Sequence, residues 1–405
     1  MNGADTAWII VATALVLFMT LPGLALFYGG LVRARNVLSV FMQCFSIACL
    51  MSVLWLAVGY SIAFGEIDHL PTVWGGLSNA FLAGVDADTI ISSTSLNDAG
   101  EVETSAFANI PEFIFFAFQM TFAIITPALI VGAYVERIGY GFVMAFSAIW
   151  MLVVYAPVVH WVWGGGWLGT IWSTTDFAGG IVVHETAGIA ALVIAVLLGK
   201  RKEVRPPHNP GYVMLGAAML WVGWFGFNAG SALAANGAAA QALVVTHISA
   251  ASASLTWALW ERIKLGKASM VGMVTGTIAG LASITPAAGS VGPIEALVIG
   301  AVAGVLCQLA VGLVKQTFDI DDTLDVFAVH GVGGIFGTIM IAVFGHASFA
   351  AQGVGLLAVG VYTLVLSFVI AKGVALVFPI RVSQEDEVEG LDYAAHGERA
   401  YELTS

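Results

Sequence analysis

The 405-residue chain is 59% hydrophobic and only 10% charged, with a mean hydropathy of +0.93, which excludes a soluble globular domain of ordinary composition. Its formal net charge of -12 also argues against nucleic acid as a partner, since that calls for a basic surface.

Residues 7–31 form an apolar run with no Lys or Arg ahead of it. It is too long for the core of a cleavable signal peptide and reads as a first membrane-spanning helix. Residues 38–64 and 352–379 also exceed the roughly 20 apolar residues that a span needs. The runs are continuous rather than short and alternating, which points to helices and not to a barrel.

The basic residues fall into groups: Arg33 and Arg35; Arg137; Lys200, Arg201, Lys202 and Arg205; Arg262, Lys264 and Lys267; Lys315; then Lys372, Arg381 and Arg399. Each gap between groups has room for two spans and an outer turn, so each group marks a cytoplasmic loop under the positive-inside rule. The expected fold is an all-α polytopic membrane protein with eleven transmembrane helices, N-terminus outside and C-terminus cytoplasmic. Residues 1–380 form its transmembrane domain and residues 381–405 a cytoplasmic tail. Lys372 falls inside the last apolar run and is expected to snorkel towards the cytoplasm. Cys44, Cys49 and Cys307 lie in apolar segments without metal-ligand spacing and read as packed thiols. Neither a metal nor a cofactor is expected.

Negative charge gathers in two places. Glu66, Asp68, Asp86, Asp88, Asp98, Glu101, Glu103 and Glu112 stand in a stretch without Lys or Arg, most of it external by this topology. A vestibule of that sign would concentrate cations; a solvated, disordered loop would have the same composition. The second cluster, Glu385 to Glu402, follows the last span and suits a partner better than the negative inner leaflet.

His184 and His330 each stand inside a long apolar run, a few residues after Asp176 (DFAGGIVVH) and Asp325 (DVFAVH) respectively. A titratable ring at bilayer depth faces a partner or a pathway rather than lipid. GLALFYGG (Gly23 to Gly30) in the first span and GWFGFNAG (Gly223 to Gly230) in the sixth share Gly, Phe and Gly at equal spacing. Repeats of five spans insert with opposite orientation, the inverted plan of many transporters, with the path at the repeat interface. His184 falls in the fifth span and His330 in the tenth, so the plan places both on the central axis.

AFQMTFAIITPALIVGAYVERI (117–138), VWGGGWL (162–168), DFAGGIVVH (176–184), PHN (207–209), GWFGFNAGSA (223–232), TPAAG (285–289), DDTLDVFAVHGVGG (321–334) and EGLDYAAHGERAY (389–401) resemble the Amt/Mep/Rh family of ammonium transporters in its bacterial or archaeal Amt form. The resemblance covers the whole chain in order. It implies eleven helices per subunit, a homotrimer with a pore in each subunit, and ammonium uptake across the cell membrane. It further implies an outer cation site at Phe122, Trp163, Phe227 and Ser231. Aromatic faces attract a desolvated ammonium ion, each worth about 0.5 to 2 kcal/mol, and a hydroxyl accepts an N–H bond. His184 and His330 correspond to the family's pore-lining twin histidines, Asp176 to a buried structural carboxylate, and Thr285 to a residue near the same region. The tail is similar to the family's regulatory segment, where a PII-type nitrogen regulatory protein docks.

Each residue also has a structural alternative. Phe122 and Phe227 are two of 24 phenylalanines and would serve packing alone; Trp163 fits an interfacial belt. Ser231 can bond back to its own helical turn, and an isolated membrane histidine can join two helices. Glu185 departs from the family pattern, in which an apolar or small residue follows the first histidine. One position along a helix is about 100 degrees, so Glu185 should turn away from the passage that His184 faces. Its readings are a carboxylate bonded between helices or a proton acceptor beside the pore.

The chemistry has a simple rationale. An unpaired ion entering low dielectric costs on the order of tens of kcal/mol, whereas deprotonating an ammonium of pKa about 10 near pH 7 costs about 4 kcal/mol. Neutral ammonia would then cross an apolar passage with imidazole nitrogens as hydrogen-bonding partners and as a proton relay. Potassium has no proton to surrender, and no TVGYG-like filter offsets its desolvation. Two other classes of function remain: an ammonium sensor without flux, and a neutral gas or water channel.

Overall fold

The computed structural model describes residues 1–65, 73–96 and 102–401. Its helices are α1 Gly3–Leu31, α2 Val37–Phe64, α3 Glu112–Tyr134, α4 Tyr140–Thr170, α5 Gly180–Leu198, α6 Pro210–Gly230, α7 Gly237–Leu265, α8 Met270–Ile284, α9 Pro293–Thr317, α10 Phe327–Val343 and α11 Phe349–Val374. Among the described residues nine of these are long and apolar enough to cross a membrane, and α8 and α10 are apolar but shorter. α11 exposes Leu357, Val361, Leu364 and Phe368 on one face, a stripe suited to lipid and not to water. The chain is a multi-pass membrane protein.

An antiparallel hairpin, β1 Ile90–Leu96 and β2 Val102–Pro111, corrects the all-α expectation, and with it the alternative of a disordered external loop over these residues. Its base is fixed: the Glu112 amide donates to the Thr89 carbonyl at 2.8 Å and the Asn2 amide to the Asn109 carbonyl at 2.7 Å. Of the acidic stretch, Asp86 and Asp88 are exposed. The Thr89 hydroxyl and the Asp88 amide hold the Asp86 carboxyl below its usual range. Glu112 is instead buried and accepts a 2.8 Å bond from the Tyr60 hydroxyl, while Glu66, Asp68, Asp98 and Glu101 lie outside the described residues. Cys44 and Cys307 are packed as expected, but Cys49 is exposed.

At the opposite end from this hairpin, the segments after α1, α3, α5 and α9 meet in one charged network. Glu136 takes Arg33 and Arg201, and Arg201 also pairs with Asp321. Arg137, fully buried, donates to the Gly199 and Asp321 carbonyls and the Thr323 hydroxyl at 2.6–2.9 Å. Burial lowers Arg137 to about 10, which leaves it charged at neutral pH. The segment beyond α11 folds back onto this face as α12 Gln384–Glu389 and α13 Leu391–His396. Glu387 accepts from Arg381 and from the Lys202 amide, both at 2.7 Å, and Asp392 accepts from the Ser39 amide at 2.8 Å.

The two short entries into α5 and α10 position the site. Both begin as π-helical turns, Gly180–Glu185 and Phe327–Gly331, the widened geometry that often marks functional positions. Asp176 caps the first turn: its oxygens accept from the amides of Gly179, Gly180, Ile181 and Val182 at 2.7–3.0 Å. Asp322 caps the second by accepting from the Phe327 amide at 2.8 Å. The spacing is the same, eight residues from Asp176 to His184 and from Asp322 to His330. Asp325, the aspartate paired with His330 from sequence, instead forms a 2.7 Å ion pair with Lys315.

α5 and α10 cross where a glycine stands one turn after each histidine. A Cβ at Gly188 would come within 3.0 Å of Gly331, and one at Gly334 would lie 2.5 Å from the Gly180 carbonyl and 2.8 Å from His184 Cβ. The contact is reciprocal, as an inverted repeat requires. Likewise α1 and α6, the first helices of the two halves, pack with Gly216 and Gly223 of α6 against Phe27 and Met19 of α1.

Two outcomes follow from these contacts. Gly188→Leu overpacks the crossing, at a cost of about 1–3 kcal/mol or more, and should lower the thermal midpoint of the detergent-purified protein by several degrees, while Gly353→Leu, at a position open to its surroundings, should not. Asp176→Ala leaves four amides without their acceptor, each costing about 1–3 kcal/mol if buried, so little folded protein should be recovered by size-exclusion chromatography; recovery equal to the parent would contradict the capping role.

Candidate functional site

His184 and His330 are buried, 1% and 4% exposed. Their Nδ1 atoms lie 3.2 Å apart, with ring centroids at 5.2 Å. One Nδ1 must therefore donate and the other accept. A neutral imidazole has one donor and one acceptor nitrogen, so the two Nε2 atoms have opposite character. Shifting the shared proton, with matching exchange at the Nε2 atoms, reverses that polarity. Among the described residues His184 Nε2 is buried without a hydrogen-bond partner, a costly arrangement unless something polar visits it.

Aromatic rings surround the pair. His184 stacks on Trp224 at 5.4 Å and on Phe227 at 6.0 Å. The pocket bounded by both histidines, Trp224 and Phe227 is closed on its remaining sides by apolar groups including Leu24, Ile125 and Ile278. It has about 10 Å³ for the centre of a water-sized molecule, so it is narrow.

Phe122 and Phe227 stack at 4.2 Å and 24°, closing the pocket on one side. Beyond them a wider cavity of about 280 Å³ is lined by Phe122, Trp163, Asp176, Ser231, Phe115 and Gln119, among others. Trp163 stands edge-on to Phe122 at 6.1 Å, and its indole donates to the Asp176 carbonyl at 2.7 Å. Asp176 thus fixes the α5 entry through its carboxylate and the Trp163 ring through its backbone carbonyl. The Ser231 hydroxyl donates to the Phe227 carbonyl at 2.8 Å, the backbone bond weighed from sequence. Ser231 lines the cavity, and a hydroxyl that donates one bond can still accept another.

All eight residues singled out from sequence belong to this region. Phe122, Trp163, Ser231 and Asp176 line the wide cavity, His184 and His330 the narrow pocket, and Phe227 the pocket side of the ring stack. Thr285 accepts from the Trp224 indole at 2.9 Å and so orients the ring that stacks on His184. Trp224 was not anticipated. It precedes Phe227 by three residues on α6, a spacing that puts both on one helix face. Glu185 turns towards α11, where a Cβ on Gly360 would lie 3.0 Å from its Oε1.

The profile of the Ammonium Transporter Family matches residues 7–401. The chain is 42% identical to an ammonium transporter of Bacillus subtilis, covering 99% of both chains, and 38% identical to the ammonium transporter Amt1 of Archaeoglobus fulgidus, covering 99% and 100%. Among solved structures it is similar to a sensor Amt protein, with a TM-score of 0.86 and 27% identity over 97% of this chain and 98% of that one. Saccharomyces cerevisiae Mep2 gives a TM-score of 0.82 and 32% identity over 95% and 88%. With its entire membrane region matched, the chain belongs to the Ammonium Transporter Family.

Proposed function

We propose that the protein carries ammonium across the cell membrane as ammonia. The ion is recruited in the wide cavity by Phe122, Trp163 and Ser231, gives a proton at the Phe122–Phe227 stack to the acceptor nitrogen of the histidine pair, whose shared-proton shift passes it on, and follows past His184 and His330 as a neutral molecule. The observation that carries this reading is the 3.2 Å bond between the histidine Nδ1 atoms inside a narrow, largely apolar pocket. Such a pocket opposes an ion by tens of kcal/mol, and offers ammonia, which both donates and accepts, one nitrogen of each kind. The shared proton is the basis for a relay.

On this reading α8 and α10 are spans with α1–α7, α9 and α11, giving eleven. The N-terminus beside the hairpin faces outside, and α12 and α13 lie in the cytoplasm, in keeping with the basic residues gathered there. Residues 1–380 form the transmembrane domain and residues 381–405 a regulatory tail. The working unit is a homotrimer in the plasma membrane of a bacterium or archaeon, and the tail is a docking place for a PII-type nitrogen regulatory protein.

A sensor reading has one specific support, the similarity to a sensor Amt protein. The two differ in flux. Purified protein in liposomes on a solid-supported membrane should give ammonium-evoked currents or uptake that saturate, and His184→Ala should lower them at least tenfold with its folded yield unchanged. Binding without flux in the parent would favour the sensor. Full saturating transport by a correctly folded His184→Ala protein would contradict the role given to the histidine pair.

A further inference from the structure

β2 does not run straight into α3. Ile90 pairs with Pro111 but Ser92 pairs with Ala106, so two steps along β1 face five along β2. Residues 107–110 therefore bulge from the ladder, and bulges re-aim side chains. Here the bulge is held on three sides. The Asn109 carbonyl accepts from Asn2 and the Thr89 carbonyl from Glu112, and Ile110 is fully buried. The first residue of the bulge, Phe107, faces the wide cavity. It stands edge-on to Phe115 at 6.0 Å and 81°, and Phe115 stands edge-on to Phe64 at 4.9 Å and 76°. Phe107 remains 47% exposed and lines the cavity, so part of its ring is left open. The segment just ahead of the hairpin carries the exposed carboxylates Asp86 and Asp88, which add negative potential on this side.

We propose that Phe107 is a cation-binding residue of the outer cavity, a first aromatic station that holds ammonium before it reaches Phe122 and Trp163. This rests on the transport reading given above. A phenylalanine face at a partly exposed position attracts a cation by about 0.5–1 kcal/mol, enough to set how much substrate occupies the cavity at low concentration. It has no role in the passage beyond the ring stack, so it acts on the apparent KM and leaves the maximal current alone.

The test compares Phe107→Leu, which keeps apolar bulk and removes the π face, with Phe107→Trp, which strengthens it, in currents evoked by ammonium chloride from reconstituted protein. The expected result is a two- to fivefold rise in KM for Phe107→Leu at unchanged maximal current, and a KM at or below the parent value for Phe107→Trp. An unchanged KM in the leucine variant overturns the proposal, as does an equal rise in both variants, which would mean that the ring only packs. If the leucine protein does not fold, a raised KM in the tryptophan variant overturns the proposal and a lowered one supports it. Absence of both current and ammonium uptake in the parent would instead refute transport itself, which separates the two failures.

Discussion

The hydrogen bond between His184 and His330 is the constraint around which the fold is arranged. It demands that two helices from opposite halves of the chain approach closely in the apolar interior. Gly188 and Gly334 make the approach possible, each leaving space for the other helix's histidine turn. It also demands that the turns entering both helices be held rigidly, and Asp176 and Asp322 do this at matching positions. Because each ring has one donor and one acceptor when neutral, the bond fixes the tautomers as a linked pair.

The three aspartates nearest the passage hold backbone amides or a lysine. Asp176 accepts four backbone amides, Asp322 accepts the Phe327 amide, and Asp325 pairs with Lys315. Glu185 lies against α11, away from the narrow pocket. Among the described residues the pocket is lined by imidazole, aromatic and aliphatic surface, with no carboxylate to stabilise a cation. Under the proposed function, this absence is what makes losing a proton the easiest way through, and it is the same property that rejects ions without one.

Most of this was legible in the sequence, for identifiable reasons. Helices were plain where apolar runs are continuous, and the gaps between basic residues left room for α8 and α10, which are apolar but shorter than the other nine. The histidines were visible because titratable rings in apolar runs are rare. The hairpin was not, since the segment around β1 and β2 is rich in carboxylates and small polar residues and alternates poorly. Proximity along the chain favoured Asp325 over Asp322; only an alignment of the two halves on their histidines shows that the spacing of eight selects Asp322. Trp224 was hidden among neighbouring aromatics, and the bulge that aims Phe107 depends on strand register, which composition does not encode.

The central claim is that the cargo crosses without its charge, and the most direct measurement sets ammonium against potassium, two ions of equal charge and similar size, in the same proteoliposomes. The account predicts saturable ammonium flux with potassium flux at the level of protein-free liposomes, under equal gradients and at any membrane potential. Potassium flux that depends on the protein and approaches that of ammonium would mean that the pocket admits a bare cation, and the account would be wrong.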